Sequence, residues 1–174
     1  MYALTEEQQL IIETAMAFTD DRLRPNAERY DQEKILDREA LQELASLGFG
    51  GIYTREDIGG SGLGRLDAAL IFEALSKGCV GHATFLSIHN MVAWMIDSFA
   101  SEDLRQRFVT RLCAGELIGS YCLTEPNHGS DAGNLTTRAE KDGDSFVING
   151  AKVFISGAGF SDVYIVMARS EGPG

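Results

Sequence analysis

Apolar residues recur at helical spacing through the first two thirds of the chain and at strand spacing in the last third. Leu10, Ile11, Ala15 and Phe18 mark one face of a helix. Thr5 and Gln8 stand at capping-box spacing in front of it, and the helix is expected to end before Pro25. Asp37 reads as the N-cap of a second helix carrying Leu41, Leu44 and Leu47, with Gly48 as its stop. The segment IGGSGLG, residues 58–64, reads as a loop. A third helix follows to about Lys77, with Gly78 past its end. From His82 to Ala100 the apolar positions run nearly all round (Phe85, Ile88, Met91, Val92, Trp94 and Phe99 among them), the mark of a buried helix. Ser101 is placed to cap a further helix ending near Gly115.

At Leu117 the period changes. LIGSYCLT, LTTRAEK, SFVIN, AKVFIS and VYIVMAR are rich in β-branched and aromatic residues, and Asp142-Gly143 and Asn149-Gly150 are hairpin signals between them. The pattern predicts an α+β chain. Residues 1–116 form an all-α domain, and residues 117–174 the opening strands of an antiparallel sheet. Four or five such strands leave open edges, so the sequence reads as the front part of a longer enzyme.

The charge balance, 15 Lys+Arg against 26 Asp+Glu, gives a net charge of −11. That excludes a nucleic-acid partner and an anionic membrane surface, both of which need basic residues. It leaves room for an anionic small ligand held locally by backbone N–H groups. Cys79, Cys113 and Cys122 are far apart, without a CxxC pair, and read as free thiols. The N-terminal residues show neither a signal nor a transit pattern, and no apolar run approaches a membrane span.

The candidate chemistry lies in YCLTEPNHGSD, residues 121–131, and KVFISGAG, residues 152–159. Thr124, Ser130 and the N–H groups around Gly129 are donors for an anion or a polar ring edge. Phe154 and Ser156 would face the same way in an extended strand. An aromatic face, hydroxyls and a small-residue loop suit a flat cofactor with a phosphate tail. The glycines at residues 58–64 do not make a dinucleotide fingerprint, because the third required glycine would fall at Arg65. His82 and His89 lack further ligands at zinc spacing and read as satisfied core residues. His128 is either a phosphate donor or a solvated loop residue. Glu125, before Pro126, is expected to fix a turn and Asp131 to cap one. Neither is a convincing base, and no Ser–His–Asp or Cys–His arrangement stands out.

Together these two segments closely resemble the acyl-CoA dehydrogenases. GGSGL at residues 59–63 and LGFGGIY at residues 47–53 extend the resemblance to essentially the whole chain. SIHNMVAWMIDSF, residues 87–99, looks like the branch acting on isobutyryl-CoA in valine breakdown. The resemblance implies a helical N-terminal domain, a middle β-barrel and a C-terminal helical bundle. It implies FAD as cofactor, a short branched acyl-CoA as substrate, and an electron-transfer flavoprotein as acceptor. It also implies a homotetramer, in the bacterial cytoplasm or in the mitochondrial matrix after removal of a transit peptide. Its cofactor-binding positions fall on Tyr121, Leu123, Thr124, Gly129, Ser130, Phe154, Ile155 and Ser156, with Ser130 also meeting the acyl-CoA. Three departures stand out: Phe154 replaces the usual Trp, Ser156 a common Thr, and Asn127-His128 a pair of small residues. The family's base is a Glu of the C-terminal domain. No catalytic residue and no metal ligand is therefore assigned here, and the 174 residues alone are expected to be inactive. A flavin oxidase or monooxygenase on the same scaffold, or a non-catalytic interaction protein that keeps it, are the alternative readings.

Overall fold

The computed structural model describes residues 3–171. Six α-helices come first: α1 Glu6–Phe18, α2 Ala27–Gln32, α3 Arg38–Ser46, α4 Arg65–Ser76, α5 Val80–Phe99 and α6 Glu102–Cys113. Four strands follow: β1 Gly119–Cys122, β2 Arg138–Asp142, β3 Ser145–Asn149 and β4 Val163–Val166.

Most of the local signals act as read. The Gln8 N–H donates to Thr5 Oγ1 (3.1 Å) and the Thr5 N–H to Gln8 Oε1 (3.2 Å), which closes the capping box of α1. Asp37 Oδ1 accepts from the N–H groups of Glu39 (3.0 Å) and Ala40 (3.3 Å) at the start of α3. Gly48, with φ 86°, stops α3. Ser101 has the extended backbone of an N-cap but makes no side-chain capping bond.

Pro25 does not end the first helical path. The chain passes from α1 through a π-turn, Thr19–Leu23, and a 3-10 turn, Arg24–Asn26, into α2. Tertiary bonds carry it through: Thr19 Oγ1 donates to the carbonyls of Ala15 (2.8 Å) and Ala74 (3.2 Å), and Arg24 reaches the Lys77 carbonyl (2.9 Å). Pro25 sits in the opening turn of its short helix, where no N–H is required.

The α5 helix is not buried all round. Ala83, Phe85, Leu86, Val92, Ala93 and Ile96 face the interior, while Val80 and Phe99 are exposed and Trp94 is half-buried with its ring edge-on to Phe99. The main core joins α1, α3, α4 and α5 through Ala15, Leu44, Ile71, Leu75 and Leu86. A second cluster joins α5 to α6 and receives Tyr121, Val163 and Ile165 from the strands.

The expected antiparallel opening sheet is replaced by two separate pairs. β1 and β4 run parallel, with Gly119 opposite Val163 and Cys122 opposite Val166. Their long connection permits that direction, and side-chain periodicity says nothing about it. β2 and β3 form the antiparallel hairpin expected at Asp142-Gly143. Asn149-Gly150 ends β3 without opening a second hairpin. Residues 151–156, read as a strand, are irregular, and their backbone turns left-handed at Phe154 (φ 57°).

His89 and Asp162 join strands to helices. The imidazole of His89 donates from Nε2 to the Leu112 carbonyl (3.0 Å) and accepts the Gly119 N–H at Nδ1 (3.1 Å). Asp162 Oδ2 accepts the Ile118 N–H (2.8 Å) and a bond from Arg38 (3.0 Å). All three cysteines are free thiols. Among the described residues no helix is long and apolar enough to cross a membrane.

Candidate functional site

As the chain leaves β1 it meets residues 152–156 side by side. The Val153 N–H donates to the Thr124 carbonyl (2.9 Å), and Lys152 Nζ donates to the Leu123 carbonyl (2.8 Å). One residue further, Glu125 is only 3% exposed. Its Oε2 accepts from Thr136 N–H and Thr136 Oγ1 (both 2.6 Å), and its Oε1 from Thr137 N–H (2.8 Å) and Lys152 Nζ (2.9 Å). Burial on its own would raise the carboxyl, but the bonds from Thr136, Thr137 and Lys152 outweigh it and hold Glu125 well below the usual carboxylate range. Glu125 and His128 also exchange backbone bonds of 3.0 and 3.2 Å around Pro126-Asn127. Glu125 is thus the turn-fixing group the sequence suggests, with no lone pair directed at a substrate.

Gly129 and Ser130 lie exposed on the loop that Glu125 closes. A side chain at Gly129 would meet no atom within 4 Å, so its backbone faces open space. Asp131 supports the short turn Ala132–Asn134: its carbonyl accepts the Asn134 N–H (3.1 Å) and its Oδ2 the Asn134 amide (2.7 Å).

Ser156 is set from the other side. Its carbonyl accepts from Ser120 Oγ (2.5 Å), which also meets Ser161 Oγ (2.6 Å). Ser156 opens onto a cavity of about 500 Å³ lined also by Tyr30, Leu36, Cys79, His82 and Phe85. The hydroxyls of Thr124, Ser130 and Ser156 have no protein partner among the described residues, whereas those of Ser120, Ser161 and Thr136 are engaged.

The structure therefore brings Leu123 and Thr124 against the 152–156 segment, with Gly129 and Ser130 on a loop anchored beside them. It does not put Phe154 and Ser156 on one strand face, because the left-handed turn at Phe154 breaks the two-residue period. Phe154 projects outward, 93% exposed, with its ring free. Ile155 is half-buried. Tyr121 packs against the α5–α6 cluster, and burial raises its phenol. Sequence reasoning missed Lys152, Ser120, Thr136 and Thr137. The only signal for Lys152 is a lone cation inside the otherwise apolar run AKVFIS.

Both core histidines are satisfied, as the sequence suggests. His82 Nε2 accepts the Asp37 N–H (3.0 Å), so its proton sits on Nδ1, 3.2 Å from Cys79 Sγ. Burial lowers His82, and pushes His89 down to about 4. Among the described residues no group of three or more His, Cys, Asp or Glu is placed to hold a metal ion.

Comparison with known proteins places this geometry. The model of the acyl-CoA dehydrogenase N-terminal domain matches residues 5–116, and that of the middle domain matches residues 120–174. The isobutyryl-CoA dehydrogenases, mitochondrial, of Dictyostelium discoideum and Bos taurus are 52% and 46% identical, over 96% and 98% of the chain. The chain spans 40% and 41% of the length of these relatives. The solved glutaryl-CoA dehydrogenase of Mycobacterium smegmatis in complex with FADH2 superposes with a TM-score of 0.91 at 31% identity, covering 95% of this chain and 43% of that one.

Proposed function

Because the chain belongs to the acyl-CoA dehydrogenase family, we propose that it serves the FAD-dependent α,β-dehydrogenation of a short branched acyl-CoA such as isobutyryl-CoA. One observation carries the reading. The two flavin-type segments are bonded directly to each other through Thr124 and Val153, and the hydroxyls of Thr124, Ser130 and Ser156 are left for a ligand. The substrate class is supported by the two relatives named for isobutyryl-CoA.

The residues fit an isoalloxazine with a diphosphate tail. Leu123 and Thr124 offer backbone and hydroxyl groups to a ring edge, and Ser156 a second hydroxyl. Phe154 presents an aromatic face with a large apolar area and no protein partner. Gly129 and Ser130 offer N–H and hydroxyl donors in open space, where a phosphate group can approach. Ser130 also serves the acyl-CoA. Bound FAD supplies the acceptor for the hydride that leaves the β-carbon. This chain's residues bind and orient; none is assigned to remove the α-proton, since Glu125 is fully bonded and buried.

In this reading residues 1–116 frame the site and residues 117–174 supply the cofactor contacts. Electrons pass to an electron-transfer flavoprotein and the working form is a homotetramer. The relatives' names favour a mitochondrial setting; a bacterial cytoplasm is the alternative. The test is anaerobic titration with isobutyryl-CoA of the purified, flavin-loaded full-length enzyme that carries these residues, since the 174 residues alone are expected to be inactive. The visible flavin absorption should bleach and return on adding an electron-transfer flavoprotein. A protein that never retains flavin, or whose flavin no short acyl-CoA bleaches, would overturn the reading. Steady oxygen consumption without an added acceptor would identify an oxidase instead.

A further inference from the structure

We propose that Glu125 and Lys152 are positioning residues of the flavin site, acting through the three chain segments they tie together; this rests on the FAD reading above. The Glu125 carboxylate binds the two ends of the 125–137 loop to each other, through Thr136 and Thr137. Lys152 adds the third segment, spanning from Glu125 to the Leu123 carbonyl. Every ligand-facing residue in the reading lies a few positions from one of these anchors. Leu123 and Thr124 immediately precede Glu125, Gly129 and Ser130 ride on the loop it closes, and Phe154 and Ser156 follow Lys152 by two and four residues.

The chemistry of the pair supports geometry as its purpose. Both side chains are withdrawn from water, at 2% and 10% exposure. A buried ion pair adds little net stability over apolar groups of the same volume, because desolvation offsets the attraction. Apolar residues here could replace the charge attraction, but would leave the Thr136 and Thr137 N–H groups without their acceptor. Nor would apolar residues fix direction. A carboxylate receiving four bonds of 2.6 to 2.9 Å sets the separation of its donors far more sharply than apolar contact does. Sites that grip a rigid planar ligand depend on such outer supports, since a small displacement of the donors is felt directly in binding.

The experiment compares the unsubstituted protein with Lys152→Met, Lys152→Arg and Thr136→Val, each titrated with FAD well below its melting temperature. Circular dichroism is followed alongside. Lys152→Met keeps the aliphatic stem and should weaken FAD binding at least tenfold and shift the flavin absorption band, with helical content unchanged. Lys152→Arg, which restores a cation, should recover part of the affinity. Thr136→Val removes one of the four bonds and should cost only a few-fold. If Lys152→Met does not fold, the milder two carry the test, and native FAD affinity in both overturns the proposal. A Lys152→Met protein that melts earlier yet binds FAD with native affinity and spectrum makes the pair merely structural and equally overturns it. If the unsubstituted protein binds no FAD, the dehydrogenase reading fails and takes this proposal with it.

Discussion

The helical and strand-bearing portions are held together by different physics. Around α1, α3, α4 and α5 the interior is mainly apolar, with Leu23, Leu44, Ile71 and Leu75 completely buried and polar groups such as Thr19, His82 and Asn90 hydrogen-bonded within it. In the strand-bearing portion every residue of β3 is exposed, Phe146, Val147 and Ile148 included, while Glu125 and Thr137 are buried. The first portion gains stability from non-directional burial, which tolerates detail. The second fixes its shape with directional bonds between charged and polar groups. A site that holds a polar, flat ligand needs the second kind of order, supported on the first.

The contrast is broken most sharply by truncating one apolar residue in each portion. Leu44→Ala empties a fully buried position and should cost about 2–5 kcal/mol. Val147→Ala on the exposed hairpin should stay within about 0.5 kcal/mol. Denaturant unfolding followed by circular dichroism measures both. Equal losses would mean that the hairpin is covered in solution.

Gly157 and Gly159 give a finer cut where the portions meet. Both have φ of 79°, so a side chain strains the backbone at either. At Gly159 nothing lies within 4 Å, and Gly159→Ala should cost only that left-handed penalty, about 1 kcal/mol. At Gly157 a Cβ would lie 2.5 Å from the Phe85 ring and 2.7 Å from Ser120 Oγ. Gly157→Ala should therefore lose about 2–4 kcal/mol and displace the bond that fixes Ser156. Melting curves of the two variants separate crowding from backbone strain.

His89 tests the seam by pH. Its folded-state pKa lies at about 4, below the unfolded value of 6.5, because burial disfavours the charged ring. The unfolded chain then takes up the proton first as pH falls through 6.5, so stability drops between pH 6.5 and pH 4 and is fully present above that window. From pH 7 to pH 5 the loss should be roughly 2 kcal/mol. His82, lowered for the same reason, adds to it. The slope due to His89 is the difference between the native protein and His89→Gln. An identical slope in both would show that the imidazole does not carry it.

The same division explains what the sequence disclosed. Thr5, Asp37, Gly48 and the Asp142-Gly143 turn act through bonds within a few residues, and each was readable. The path through Pro25 was not, because it depends on Thr19 and Arg24 reaching α4 and the residue after it, more than fifty positions away. The direction of β4 beside β1 was hidden, since alternation of side chains is the same in parallel and antiparallel pairs. AKVFIS has the alternation of a strand, yet Lys152 turns inward to Glu125 and Phe154 adopts a left-handed backbone. The site motifs were legible as motifs; the carboxylate knot beneath them was not.

Phe154 carries a small expected effect on stability and the most pointed one. A bulky residue at φ 57° costs about 1–2 kcal/mol, and a side chain 93% exposed recovers almost none of it by packing. Glycine at this position removes the strain but loses more chain entropy on folding, by about 0.5–1 kcal/mol. Phe154→Gly should therefore leave stability unchanged or raise it by up to about 1.5 kcal/mol. FAD affinity should fall in the same preparation, because the aromatic face is gone. Backbone strain that packing does not repay agrees with the ring-facing role proposed for Phe154. Unfolding and FAD titration of one sample decide it: a clear loss of stability with native FAD binding would make Phe154 part of the fold and empty the ring-facing side of the proposed site.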